Sequence, residues 1–124
     1  MKLYLKKKFS TDCTIKENPP LSEKGIREAR LFQLMMSSLK LDFCYTDSSV
    51  ASFGTAMLLV GEKLAIKREK RLEKKKSTET VEKNILSFLD DLKELPASSV
   101  GLIIAEAEVL SIIEKEALDT TVLP

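Results

Sequence analysis

Apolar and polar positions alternate from Lys2 to Lys6 around the β-prone Leu3, Tyr4 and Leu5, which predicts an opening strand. Asn18-Pro19-Pro20-Leu21 reads as a turn, because prolines fix φ and remove backbone donors. Ser22 is placed to cap the helix that follows, with Gly25 in its first turn. Ile26, Ala29, Leu31, Phe32, Leu34, Met35 and Leu39 recur at helical spacing and predict an amphipathic helix with a broad apolar face. Met35-Met36 reads as core filling, the common use of methionine, rather than as a soft-metal site.

Leu41 to Thr46 reads as a short strand, and Asp47 and Ser48 are cap candidates for a helix carrying Ala51, Thr55, Ala56, Leu58, Leu59 and Val60 up to Gly61. Leu64-Ala65-Ile66 is a candidate short strand. Lys67 to Lys76 is densely charged and reads as a solvated connection. A capped helix begins near Ser77-Thr78 and runs through Val81, Ile85, Phe88 and Leu92 to Leu95, where Pro96 stops it. Val100 to Ala105 is a continuous apolar run, the pattern of a parallel strand covered on both faces. Val109 to Ala117 predicts a last helix, and Thr121-Val122-Leu123 a terminal edge strand. Strands alternating with helices imply a three-layer α/β/α sandwich with a mostly parallel sheet, in which residues 2–6 and 100–105 are neighbouring inner strands.

Composition narrows the chemistry. The 124 residues are the size of one domain, so a single domain over 1–124 is expected. Lysine and arginine (20) nearly balance aspartate and glutamate (19), which argues against a dedicated nucleic-acid or membrane-surface protein. Cys13 and Cys44 are too few for a disulfide scaffold or a Cys-x-x-Cys metal site, and Cys44 lies in an apolar run where a buried thiol is expected. No apolar leader or membrane-length segment is visible, so a reduced, cytoplasmic setting is expected. The 31% charged fraction and the absence of Trp fit a thermophile. Histidine is absent altogether, which excludes imidazole catalysis.

Segments along the chain, in order, resemble the histidine phosphatase superfamily, the phosphoglycerate mutase-like proteins. The strand Lys2-Leu3-Tyr4-Leu5 with Thr11 behind it resembles the family's first strand, which ends in Arg-His-Gly before a threonine. Pro20-Leu21-Ser22-Glu23-Lys24-Gly25-Ile26-Arg27-Glu28-Ala29 matches the family's Pro-Leu-Thr/Ser-x-x-Gly-x-x-x-Ala helix start. Leu41 to Thr46, with Thr55-Ala56 in the next helix, resembles the strand ending in Tyr-Thr/Ser-Ser and the Thr-Ala behind it. The run Val100 to Ala105 resembles the strand that carries Ser-His-Gly.

The resemblance implies a vestigial pocket. Lys7 stands at the family's arginine, Lys8 at its nucleophilic histidine and Phe9 at the adjoining glycine. Ala51 stands at a second phosphate-clamping arginine, and Glu106 at the second histidine. Leu72-Glu73 corresponds loosely to a Leu-x-Glu region whose acid donates a proton. A protonated lysine has no lone pair with which to attack phosphorus, and losing an arginine removes bidentate phosphate binding. The expectation is therefore a pseudoenzyme without cofactor or metal, acting by binding a ligand or protein. The alternative is a phosphohydrolase with another nucleophile, for which Lys8, Thr11 and Glu73 are the candidates. If Lys8 and Glu106 take the two histidine positions, opposite charges face each other across the old pocket, and an ion pair between them is expected.

Two further surfaces are candidates. Lys6-Lys7-Lys8 at a strand end could take a small anion, since open α/β sheets bind ligands at the carboxyl ends of their strands. The helix bearing Phe32, Met35 and Met36 has more apolar width than one core face needs, and self-association is expected of it or of a sheet edge.

Overall fold

The computed structural model describes residues 1–124. Five parallel strands form one sheet: β1 (Lys2–Lys6), β2 (Phe43–Thr46), β3 (Ile66–Arg68), β4 (Val100–Ile104) and β5 (Thr120–Val122), in the spatial order β3-β2-β4-β1-β5. The helices are α1 (Glu23–Met36), α2 (Val50–Val60), α3 (Thr78–Leu92) and α4 (Ala107–Glu116). β1 and β4 are adjacent inner strands, as the continuous apolar run implies.

Side-chain alternation along each strand feeds two cores. Leu3, Leu5, Phe43 and Ile103 face α3 and α4, where they meet Val81, Ile85, Phe88, Val109 and Ile113. Cys44, Leu102 and Ile104 face α1 and α2, where they meet Ala29, Met36, Ala56 and Leu59. Burial of Cys44 pushes its thiol up to about 12, so it is an inert core residue. Gly101 lies under the Phe43 ring, which a Cβ there would meet at 2.1 Å.

The helices start where their caps lie. The Ser22 hydroxyl accepts from the Gly25 amide at 3.0 Å. α2 is capped by Ser49, not by Asp47 or Ser48, because the Asp47 carboxylate is taken up by the Ser49 amide and hydroxyl at 3.0 and 2.7 Å. α3 ends at Leu92, ahead of Leu95, and α4 begins at Ala107, ahead of Val109.

Two expectations change. The charged stretch 67–76 is partly structural: Ile66–Arg68 pairs with β2, and Leu72 is fully buried in the α3/α4 core. Arg71 fastens it to α3, bonding Glu69 through two nitrogens and Asp91 and Ser87 through a third. Met35, expected with Met36 as core filling, is the second: it lies on the outer face of α1 with Leu31 and Leu34, the surplus apolar width that the sequence implies. Met36 is buried, but Leu31, Leu34 and Met35 are 75%, 77% and 57% exposed. Helical spacing alone could not say how much of that width a single sheet covers.

Candidate functional site

The carboxyl ends of β1 and β4 set the geometry. These strands pair in register from Lys2 opposite Val100 to Lys6 opposite Ile104. Continuing that register past both strand ends brings Lys8 opposite Glu106. Their side chains meet there, with the Lys8 ammonium 2.8 Å from the Glu106 carboxylate. Glu106 is the residue before α4, yet its side chain makes no capping bond to that helix. Its carboxylate is committed to the lysine.

Around this pair the remaining candidate residues take separate places. Phe9 is buried, with its amide donating to the Thr55 hydroxyl at 3.2 Å and its ring edge-to-face on Phe32 at 5.8 Å. Thr11 forms an isolated bridge with Leu21, closing the loop after β1 onto the start of α1. Ala51 is buried, offers only a methyl group, and lends its carbonyl to Thr55 at 2.8 Å. Glu73 lies beside Ser48, whose hydroxyl holds the carboxyl below its ordinary range, and its ion-pair partner is Lys75 at 3.1 Å, not Lys8.

The three lysines of the candidate anion cluster diverge. Lys6 alternates onto the α1/α2 face with Tyr4 and is buried, its ammonium donating to the Lys7 carbonyl at 2.9 Å. Lys8 is taken by Glu106, and Lys7 alone is left exposed. Lys7 lies near Glu108, whose carboxyl is held low by its own backbone amide first and then by Lys74, 3.2 Å away.

Three bracing contacts here carry weaker signals in the sequence. Asn18, in the left-handed region at φ 44°, turns its side-chain oxygen to the Val50 amide at 2.9 Å, closing the amino terminus of α2. Asparagine before two prolines is the only hint. Glu28 accepts from the Ser10 amide at 3.1 Å, and Ser10 in turn gives its carbonyl to Ser22. Lys6 could have been placed by the period of its strand.

Two grooves lie away from the strand carboxyl ends. One, of about 320 Å³, is lined by Met1, Leu3, Leu92, Ala117 and Leu118; the other, of about 590 Å³, by Leu34, Met36, Leu39, Leu59 and Leu64. No three His, Cys, Asp or Glu side chains converge as metal ligands would, and no helix is long and apolar enough to cross a membrane.

No protein-family model matches the chain, and no curated protein matches it by sequence. Solved structures match it by fold. The alpha-ribazole phosphatase of Shigella flexneri superposes with a TM-score of 0.80 at 15% identity, covering 95% of this chain and 81% of its own. A phosphoglycerate mutase of Bacillus anthracis gives 0.78 at 14% identity, covering 93% and 79%. A mycobacterial glucosyl-3-phosphoglycerate phosphatase gives 0.77 at 11%, covering 89% and 76%. The architecture is the phosphoglycerate mutase-like α/β fold.

Proposed function

We propose that this chain is a non-catalytic member of the histidine phosphatase superfamily, a pseudoenzyme that works by binding a protein or a small ligand. The observation that carries the reading is the Lys8–Glu106 ion pair at 2.8 Å. By the resemblance, these are the two strand ends at which family members set their histidines on either side of the transferred phosphoryl group.

Phosphoryl transfer through an enzyme nucleophile needs a free lone pair and cations to hold the phosphate oxygens. An ammonium bonded to a carboxylate offers no lone pair. The carboxylate repels phosphate, and the Ala51 methyl cannot clamp it. Several requirements fail together in one place, and groups that act as a unit are not rescued singly. The phosphohydrolase alternative has little to draw on: Lys8 is paired, Glu73 is held by Lys75, and the Thr11 hydroxyl has no base bonded to it that could activate it. Both cysteines are free, which suits a reducing compartment, and we place the protein in the cytoplasm.

Hydrolysis of p-nitrophenyl phosphate by the purified chain tests the reading, with Lys8→Ala as control. No turnover above buffer is expected from either. Saturable hydrolysis by the wild type that Lys8→Ala abolishes overturns it.

A further inference from the structure

We propose that the outer edge of β3 is a docking surface for an acidic, extended segment of a partner protein, which adds to the sheet as a sixth strand. β3 ends the sheet and pairs on one side only, with β2. The Glu69 amide donates to the Thr46 carbonyl at 2.7 Å, so by the alternation of a parallel ladder Lys67 also turns its backbone to β2. The amides and carbonyls of Ile66 and Arg68 therefore face outward, and no bond from a loop reaches them.

Charge selects the occupant. Residues 67–76 hold seven lysines and arginines against two glutamates. Lys67 and Arg68 are exposed, and neither has a carboxylate within ion-pair distance. The two acids of the stretch are taken elsewhere, Glu69 by Arg71 and Glu73 by Lys75. Each free cation is held over a ring: Lys67 lies 5.9 Å from the Tyr45 centroid on the α3 side, and Arg68 4.2 Å from that of Phe53 in α2. The two charges thus stand on opposite faces of the sheet. A strand laid along the edge alternates in the same way, so two consecutive acidic residues opposite Lys67 and Arg68 meet one cation each. A nucleic-acid strand brings phosphate acceptors but no spaced amide donors for the two outward carbonyls. Charges on an edge ordinarily keep other strands off. Here they discriminate: like charge bars a second copy's β3, whereas an acidic strand meets opposite charge at both positions. The inference gives the protein-binding role proposed above a partner class and rests on it. The edge itself is separated from β4 and the Lys8–Glu106 pair by β2.

Fluorescence anisotropy of a labelled peptide, Ser-Thr-Val-Thr-Glu-Glu-Thr-Val-Thr-Ser, titrated with the full chain tests this. Saturable binding that weakens as salt rises is expected, together with slowed hydrogen exchange at the Ile66 and Arg68 amides. A combined Lys67→Glu and Arg68→Glu variant should weaken binding by about tenfold or more. Lys24→Glu, at an exposed cation on α1, should leave it unchanged. Circular dichroism checks that the variants are folded, and a Gln-Gln version of the peptide removes the charge without touching the protein; it too should bind about tenfold more weakly. No saturable binding at millimolar concentration overturns the proposal. So does binding that Lys24→Glu weakens as much as the edge variant, or that leaves exchange at Ile66 and Arg68 unchanged. A ten-residue oligothymidylate that binds as tightly as the peptide overturns it as well. Aryl phosphate turnover on the same samples reports on the catalytic reading separately.

Discussion

The Lys6 ammonium lies 4.2 Å from the centroid of the Phe9 ring and 5.4 Å from that of Phe32, a buried cation whose neighbours are two aromatic faces rather than a carboxylate. Ring quadrupoles attract a cation, but they do not replace the water it has lost. Desolvation is the larger effect and brings the Lys6 pKa below its ordinary 10.5; Glu28 opposes the shift and Lys7 adds to it. The chain carries an internal electrostatic cost next to its candidate site.

That cost sets a pH dependence. The folded state releases the Lys6 proton more readily than the unfolded state, so the unfolded chain binds more protons between the two pKa values. The contribution of Lys6 to stability should therefore rise with pH from the lowered folded value up to 10.5 and stay flat below that window. Lys6→Met should remove this slope and gain on the order of 1 kcal/mol at neutral pH, since an apolar side chain suits the site better. Denaturant melts of both proteins across alkaline pH measure it. A less stable Lys6→Met variant at neutral pH would show that the aromatic contacts outweigh desolvation.

The Lys8–Glu106 pair should add little to stability but control anion binding. Its side chains are 28% and 39% exposed, and pairs of that kind couple by about 0.5 kcal/mol. Glu106→Gln should leave the melting temperature nearly unchanged. It should also let phosphate perturb the amide resonances of residues 7–9 in an NMR titration, which the wild type resists. Equal phosphate responses in the two proteins would mean that Glu106 does not guard the strand ends.

Gly25 should be irreplaceable despite its place in a helix. A Cβ there would lie 2.1 Å from the Ser10 carbonyl oxygen, in backbone that Ser22 and Glu28 also hold. Alanine ordinarily gains about 1 kcal/mol over glycine inside a helix. Here Gly25→Ala should instead lose about 2 kcal/mol or more, because the loop after β1 must move. A thermal melt decides the sign.

Leu72 makes a similar contrast within the charged stretch. It is fully buried against α3 and α4, so Leu72→Ala should cost about 2–4 kcal/mol. Charge removal at the exposed neighbour Lys70 should stay within about 0.5 kcal/mol. Chemical denaturation of the two variants separates a buried anchor from a solvated connection.

Local patterns settled a good part of this protein by themselves. The strand at Lys2–Lys6, the Ser22 cap after Pro19-Pro20, and the buried run at Val100–Ile104 follow from periodicity, fixed φ and hydrogen-bonding chemistry, which act over a few residues. The lack of histidine is likewise complete in the sequence, and it excludes imidazole chemistry. Tertiary structure decided what depends on which residues meet. Lys8 finds Glu106 because β1 and β4 pair in one register, a relation between distant segments that no local pattern contains; the family resemblance alone suggested it. Lys6 is buried because its strand is covered on the α1 side, and Leu72 because Arg71 ties its segment to α3. Ala29 and Met36 lie on one face of α1 and Leu31, Leu34 and Met35 on the opposite one, and the sheet covers only the first. Period assigns a residue to a face; only packing decides whether that face meets the core, the solvent or another molecule.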